Sequence, residues 1–301
     1  MPQIVVVGSF NSELVMYMSD LPIMGETVTG RRFYTGAGGR GSNQAIAASR
    51  LGAEVTFVGC AGDDSFGQMG RRLWQQEGIN TDYIHMISGQ STGVAMSFVE
   101  DDGEDMVAIT PGANMALIPD YVEAAGAKIS GADVVLVQAG IPMESIERAL
   151  QLAKASNVPT IFNVAPAQQF PSSLLALADI LVMNDGAVET VTGHHDVPEK
   201  LARKLLQHDK QRIIVTMGAW GLVHVSEHDE GQQPAFEVNV RDALGGGDAF
   251  CAGLAVALGD RQMFKPALRF AAATAALCVS KDGSSQSMPS RAEVDTFLQR
   301  H

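Results

Sequence analysis

The chain has 301 residues, of which 46% are hydrophobic, and this is enough to build a large core in one α/β domain. Its formal net charge of −13 argues against nucleic acid as a partner, because binding along a duplex requires a basic surface that neutralises phosphates. No apolar run reaches the length of a membrane-spanning helix, so we expect no membrane partner.

Short apolar runs alternate with helical patterns along most of the chain. The apolar runs are mostly β-branched, which is typical of strands buried on both faces of a parallel sheet, and cover 4–7, 55–58, 134–137, 160–163, 180–183 and 213–216. Helical patterns between them cover 42–51, 66–77, 144–156 and 199–207. This alternation predicts an α/β fold, a doubly wound, mostly parallel sheet with helices on both faces.

Two segments, 14–35 and 92–110, interrupt the alternation. Each shows loose polar and apolar alternation with turn signals inside it, such as Pro22 and Gly25 in the first and the run 101–103 in the second. They predict strands outside the main sheet of a single domain of residues 1–301, and such strands form a small β lid or an oligomer surface.

The start of the chain and the cysteines bear on its compartment. The strand-like run at 4–7 follows Met1 without a charged leader, and the cysteines Cys60, Cys251 and Cys278 are far apart in apolar runs. We therefore expect buried thiols, no metal site at the cysteines, and a cytoplasmic location.

A glycine-rich stretch at 36–41 fits the spacing GxGxxG. A dinucleotide fingerprint should follow the first buried strand, but this stretch follows the polar run 31–34, which argues against that interpretation. We interpret the glycines as a close approach of ligand to backbone at the start of a helix near Ser42, with Asn43 in its first turn. The chain contains no Walker A loop.

A second glycine-rich stretch, Asp-Ala-Leu-Gly-Gly-Gly-Asp at 242–248, precedes an apolar helical run at 249–258. Consecutive glycines can point their N–H groups into one space. The positive end of the following helix faces the same space, and together they make an anion-binding site. Asp248 has two interpretations there. It either caps a core helix, or takes a proton from a hydroxyl group that attacks a phosphate.

In their order along the chain, the motifs resemble those of the ribokinase-like (PfkB) carbohydrate kinase family, and the resemblance covers nearly the whole chain. The motifs are Gly-Ser-Phe-Asn at 8–11, Gly-Glu-Thr at 25–27, Gly-Gly-Arg-Gly-Ser-Asn-Gln at 38–44, Val-Gly-Cys-Ala-Gly-Asp-Asp at 58–64, Pro-Gly-Ala-Asn at 111–114, Asn at 184, Val-Thr-Met-Gly at 215–218 and Gly-Gly-Gly-Asp-Ala-Phe at 245–250.

The resemblance implies a role for particular residues. Asp248 matches the catalytic base, and the amides of Gly245, Gly246 and Gly247 match the anion hole. The positions that match sugar contacts are Asn11, Glu13, Gly39, Arg40 and Asn43. Those that match the nucleotide side are Asn184, Thr216 and Gly218, and Asp242 matches an acid beside a monovalent cation.

The chain also departs from the family pattern. Glu13 stands where an Asp is usual, Arg40 where a Lys is usual, and Gly140 where a Glu is usual. Three alanines stand where polar or charged residues are usual in the family. Ala187 matches a position on the magnesium side, Ala243 one before the anion hole, and Ala272 one on the adenine side. The altered sugar contacts leave the acceptor open, because a pocket built on hydrogen bonds discriminates by which partners are present.

The resemblance implies an ATP-dependent kinase that phosphorylates a primary hydroxyl of a small sugar, with ATP and Mg²⁺ as cofactors and K⁺ as a further ion. It also implies a homodimer joined through the lid. Two alternatives stay open. One is a kinase of another acceptor, a different sugar or a nucleoside, and the other is a regulatory protein that binds sugar or nucleotide on a vestigial kinase fold.

Overall fold

The computed structural model describes residues 1–100 and 105–301. Its strands are Gln3–Val7 (β1), Asn11–Tyr17 (β2), Arg32–Gly38 (β3), Glu54–Gly62 (β4), Asn80–Ile87 (β5), Gly93–Val99 (β6), Asp105–Thr110 (β7), Val134–Gln138 (β8), Thr160–Asn163 (β9), Ile180–Asn184 (β10), Arg212–Thr216 (β11), Leu222–Ser226 (β12) and Glu230–Gln233 (β13). Its α-helices are Arg40–Arg50 (α1), Ser65–Gln76 (α2), Pro119–Ala124 (α3), Gly126–Ser130 (α4), Met143–Ala155 (α5), Ser172–Leu175 (α6), Asp185–Thr192 (α7), Pro198–Leu205 (α8), Gly246–Gly259 (α9), Phe264–Val279 (α10) and Arg291–Arg300 (α11). Short 3-10 helices cover Gly112–Ala116, Gly218–Trp220 and Ser285–Ser287.

The main sheet has nine strands in the order β13-β12-β11-β10-β9-β8-β1-β4-β5. It is parallel from β11 to β5, whereas β12 and β13 pair antiparallel at one edge. The predicted doubly wound, mostly parallel sheet is confirmed, and every apolar run predicted as a strand lies in it. The antiparallel edge was not predicted.

Helices cover both faces of the main sheet because its strands are apolar on both sides. In β1, Ile4 and Val6 belong to the core under α1, α9 and α10, while Val5 and Val7 belong to the core under α5 and α8. Successive side chains of a strand point to opposite faces, so a continuous apolar run buries both faces.

A second sheet has four strands in the order β3-β2-β6-β7. It contains the two segments predicted as a lid, but β2 begins at Asn11 and β3 continues to Gly38, closer to the glycine-rich start of α1. Polar residues and glycines have low strand propensity, which is why the sequence pattern does not reveal these ends. The predicted turn at 101–103 lies outside the described residues.

Candidate active site

The candidate site begins where β1 and β8 end, at the carboxyl edge of the main sheet. The Gln138 side-chain oxygen accepts hydrogen bonds from the amide and the hydroxyl of Ser9, at 3.1 Å and 2.9 Å. The Ser9 carbonyl in turn accepts from the Ser42 amide at 3.0 Å, which holds the first turn of α1 against this edge. Ligands of open α/β sheets bind at this edge.

Asp248 lies in the first turn of α9, with its side chain only 3% exposed. One carboxylate oxygen accepts from the Asn43 side-chain amide at 3.1 Å, and the other from the Gln44 side-chain amide at 3.0 Å. Gly245 is the N-cap residue of α9, and no side chain caps this helix. The interpretation of Asp248 as a helix cap is therefore wrong, because its carboxylate is committed to α1.

Two opposing influences act on this carboxylate. Burial raises the pKa of Asp248 above its ordinary value, because desolvation disfavours the charged form. The positive charge of Arg40 and the hydrogen bonds from Asn43 and Gln44 act in the other direction and favour the ionised form. The surroundings thus supply what a buried base needs to stay ionised before it accepts a proton.

The two amides that hold Asp248 do so at a cost to stability. The side-chain oxygens of Asn43 and Gln44 are buried and have no hydrogen-bond partner among the described residues. A buried acceptor left without a donor costs about 1–3 kcal/mol. Such a cost is typical of a functional position rather than of a purely structural one.

The predicted sugar-contacting residues meet beside Asp248. Gly39 has φ of 85°, and an added Cβ would lie 2.7 Å from the Cα of Phe10, so only glycine fits between α1 and the start of β2. The side-chain oxygen of Asn11, half-buried next to Phe10, accepts from the Asn114 side-chain amide at 2.9 Å. The structure therefore brings Asn11, Gly39, Arg40 and Asn43 to the same end of α1.

Glu13 belongs to the same group and lies two residues after Asn11 on β2. Both of its carboxylate oxygens lie 2.7 Å from the Ser284 hydroxyl, and the negative charge of Asp248 acts on them. The fifth predicted sugar contact thus lies near Asp248 as well.

The three glycines form the turn into α9. Gly245 has φ of 77°, which favours glycine, and an added Cβ there would lie 2.9 Å from the Met288 methyl group. Gly246 donates a long bond of 3.4 Å to the Ala243 carbonyl. Gly247 is exposed and would leave an added Cβ in open space. The first amides of a helix have no acceptors within it, so this turn can bind an anion.

Asp242 lies at the other end of the glycine-rich loop. Its carboxylate accepts from the Leu244 amide at 2.9 Å and from the Gly283 amide at 2.9 Å. It thereby joins the glycine-rich loop to the segment that follows α10. This places the predicted cation ligand beside the glycine-rich turn.

The predicted nucleotide residues form a separate group farther along the same edge. Asn184 and Thr216 are register partners on β10 and β11, and Gly218 follows with φ of 55° and open space around it. Asn184 also caps α7, since its side-chain oxygen accepts from the Ala187 amide at 2.7 Å. Within the described parts of the chain, no hydrogen bond joins Asn184 or Thr216 to the predicted sugar contacts.

The residues present fit a magnesium ion that arrives with a nucleotide. Such an ion is held by phosphates and waters and needs only one or two protein carboxylates. Asp185 is exposed in the first turn of α7, beside Asn184. A cluster of three or more metal-ligating side chains, which would hold a metal without the nucleotide, does not occur in residues 1–100 and 105–301.

Three residues of the site were missed as participants. Gln44 and Asn114 lie in the motifs quoted above, but only the fold shows that their side chains hold Asp248 and Asn11. Ser284 lies in no motif, and 271 positions separate it from Glu13. No local pattern could have connected that pair.

Residues 1–291 match the family described as pfkB family carbohydrate kinase. The chain belongs to this family. Among its relatives, a ribokinase of Haemophilus influenzae is 37% identical over 98% of this chain and 97% of that protein. A deoxyribokinase of Salmonella typhimurium is 32% identical over 98% of this chain and 98% of that protein. The structure of Arabidopsis thaliana ribokinase complexed with ribose and ATP superposes with a TM-score of 0.90 at 31% identity, covering 99% of each chain.

Membership of the family agrees with the geometry. The glycine-rich turn, the buried carboxylate behind it and the group of polar residues at the start of α1 all lie within the matched range. Among the helices of the described residues, none is both long and apolar enough to cross a membrane.

Proposed function

We propose that this protein is an ATP-dependent sugar kinase that transfers the γ-phosphoryl group of ATP to a primary hydroxyl of a small sugar. The observation that carries the proposal is Asp248, a buried carboxylate held by Asn43 and Gln44 in the first turn of a glycine-led helix. A base next to an anion-binding turn is what transfer of a phosphoryl group to a hydroxyl requires.

In the proposed mechanism, Asp248 accepts the proton of the sugar hydroxyl as its oxygen attacks the γ-phosphorus in line with the leaving ADP oxygen. The new O–P bond forms as the bond to ADP breaks, and the proton stays on the carboxylate until product leaves. The amides of Gly245, Gly246 and Gly247 donate to the oxygens of the transferred group and stabilise its charge. Bound with ATP, magnesium would offset the negative charge of the phosphates.

The residues at the start of α1 would hold the acceptor. Asn11 and Asn43 supply amide groups, Gly39 allows the backbone to approach, and Arg40 supplies donors while its charge favours the ionised form of Asp248. The small four-stranded sheet would act as the lid that excludes water. On the nucleotide side, Asn184, Thr216 and Gly218 would contact ATP, with Asp242 near a monovalent cation such as K⁺.

A different acceptor is the second candidate, and Gly140 favours it. This residue lies next to Gln138 and Ser9, and it leaves the pocket without the carboxylate that the family usually places there. One of the relatives is a deoxyribokinase, so the acceptor can differ within the family. A vestigial regulatory protein is less well supported, because the base and the glycines of its turn are intact.

We further propose a homodimer joined through the outer face of the small sheet. Strand register places Leu14, Met16, Phe33, Met96, Phe98 and Met106 on one face, opposite to Glu13. Phe33 is 59% exposed and Met106 52% exposed. An apolar sheet face of this kind marks an interaction surface. A reducing cytoplasm stays our prediction for the compartment, in line with the buried free cysteines.

The proposal is tested by measuring ADP release with pentoses, hexoses, deoxysugars and nucleosides, with and without K⁺. We expect release that depends on a sugar with a free primary hydroxyl, and a phosphate ester as product. The matched acceptors are ribose and 5-deoxyribose, which lacks that hydroxyl and should give no release above the ATPase background. ADP release with nucleosides but not with sugars would favour the second candidate. No ADP release with any acceptor would contradict a kinase.

A further inference from the structure

The Glu13 carboxylate has an unusual partner. Both of its oxygens accept from the Ser284 hydroxyl, each at 2.7 Å, although the two residues lie on the small sheet and on the loop after α10. Ser284 itself is only 1% exposed. Gly38, next to the start of α1, has no side chain, and an added Cβ would overlap this carboxylate. The contact therefore fixes where the carboxylate lies relative to the residues that follow Gly38.

Electrostatics alone would not keep the carboxylate there. Burial raises the pKa of Glu13, the Ser284 hydrogen bond lowers it, and the negative charges of Asp248 and Asp242 raise it again. No lysine or arginine forms an ion pair with Glu13 within residues 1–100 and 105–301. Without the hydroxyl, the side chain would turn away from the other two acids or take up a proton.

Ser284 is fixed on both sides. The preceding amide, that of Gly283, donates to Asp242 at 2.9 Å. The following hydroxyl, that of Ser285, donates to the Ala37 carbonyl of β3 at 2.6 Å. The Ser284 carbonyl accepts from the Ser287 amide at 3.2 Å. A hydroxyl on so well-anchored a segment can hold a flexible glutamate side chain in one position.

We propose that Ser284 is a positioning residue, which holds the Glu13 carboxylate in the acceptor pocket and thereby sets the affinity for the sugar. The pair also explains how a side chain one methylene longer than the family's usual Asp is accommodated. This inference rests on the proposed function, because it assumes that the pocket beside Asp248 binds a sugar.

The first test is Ser284→Ala, assayed with ribose or 2-deoxyribose, whichever the wild type phosphorylates. We expect KM for the sugar to rise about tenfold, the scale of a lost hydrogen bond to a charged group, with kcat and KM for ATP within about twofold of wild type. The matched control is Ser280→Ala, which removes a half-buried hydroxyl that donates to the Leu277 carbonyl and contacts no carboxylate. It should change KM for the sugar by less than about twofold, since no charged partner is lost.

The second test is a double-mutant cycle with Glu13→Asp, whose shorter side chain cannot reach the hydroxyl. In the Glu13→Asp background, Ser284→Ala should have no further effect on KM for the sugar. Should Ser284→Ala fail to fold, Ser284→Cys fills nearly the same space with a weak donor and should show the same ordering.

Each outcome is decisive. Equal effects of Ser284→Ala and Ser280→Ala would mean that losing the Ser284 hydroxyl acts no differently from losing another hydroxyl nearby. A fall in KM for the sugar would mean that Ser284 holds Glu13 away from the sugar, and additive effects in the cycle would show that the pair does not act together. Each of these overturns the inference while wild-type activity leaves the proposed function standing. A wild type that phosphorylates no sugar would instead refute the proposed function, and the inference with it.

Discussion

At Asp248, burial and hydrogen bonding act in opposite directions on one carboxylate. Desolvation raises its pKa, whereas Arg40, Asn43 and Gln44 favour the ionised form. A base must be ionised before the reaction and must bind a proton during it, and a pKa raised from its ordinary value serves the second need. Residues of α1 set the balance between the two, so α1 influences the proposed base as well as the proposed acceptor pocket.

The first prediction concerns Arg40→Met. Removing the guanidinium charge raises the pKa of Asp248 further, so the acidic limb of kcat against pH should move to higher pH. Turnover falls where the base is protonated, that is, as the pH drops through its pKa. Arg72→Met, which removes an exposed guanidinium that does not act on Asp248, is the control. An acidic limb at the same pH in Arg40→Met and in wild type would show that Arg40 does not influence the pKa of Asp248.

The second prediction concerns Gly140→Glu, which we expect to shift acceptor preference toward ribose. An added Cβ would lie 2.8 Å from the Ser9 hydroxyl and 2.9 Å from the Gln138 side chain, so both must shift. Gly140→Ala imposes the same crowding without a carboxylate and is the matched control. Ratios of kcat/KM for ribose and 2-deoxyribose measure the change. The same ratio in both variants would assign the effect to crowding.

At the scale of elements, the turn into α9 combines two kinds of glycine. Gly245 has the positive φ of 77° and close neighbours, so its glycine is required by the backbone. Gly247 has an ordinary helical position and open space around it, so nothing in the fold requires glycine there. If glycine is required at position 247, the requirement comes from a bound ligand and not from the fold.

The third prediction separates these two roles. Gly247→Ala should lower kcat on the order of 10²-fold, because a methyl group enters the space proposed for the phosphoryl group. Its thermal stability should stay the same or rise, since alanine is about 0.5–1 kcal/mol better in a helix. Gly245→Ala should instead lose stability. Gly126→Ala, at the open start of α4, controls for helix propensity, and full activity of Gly247→Ala would contradict the anion-hole assignment.

The elements differ in how far the sequence could predict them. The strands β1 and β8 each contain four consecutive apolar residues, whose burial on both faces follows from the local sequence. The ends of β2 and β3 are polar or glycine-rich and become strands only through pairing with each other and with β6. Asp248 could be singled out from its glycines, but the evidence against a helix cap came from side chains of α1.

The same limit applies more strongly to contacts between distant segments. The family resemblance implies that Asn11, Glu13, Arg40 and Asn43 share a sugar pocket. The fold brings these four residues to one end of α1. The resemblance could not predict that Glu13 meets Ser284, because this contact joins the small sheet to the loop after α10 and depends on the length of one side chain. Such contacts are properties of the tertiary fold and leave no periodic signal.

At the scale of the whole molecule, the fourth prediction concerns assembly. Sedimentation at micromolar concentration should show a dimer, and the double variant Phe33→Glu with Met106→Glu should be a monomer, because charges then replace two exposed apolar side chains of the outer face. Met263→Glu, which changes a 77% exposed residue away from the small sheet, is the control and should stay dimeric. A wild-type monomer, or a double variant that still dimerises, would contradict an interface at this face.

The fifth prediction, Asp248→Asn, addresses the central claim that a buried carboxylate in the turn into α9 is the base of a sugar kinase. A raised folded-state pKa means that the stability contribution of Asp248 is present below its unfolded-state pKa and is lost as pH rises through the folded-state value. Above the folded-state pKa the ionised side chain therefore costs stability. A neutral amide should leave the midpoint of thermal unfolding unchanged or higher, so a loss of activity would not reflect a loss of fold.

The most direct measurement is sugar-dependent ADP release by wild type and Asp248→Asn side by side, with sugar affinity measured by calorimetry. We predict that kcat falls on the order of 10²-fold or more in the variant, while the Kd for the sugar changes little, as expected when a general base is lost. A folded Asp248→Asn variant that retains most of its turnover would contradict the account.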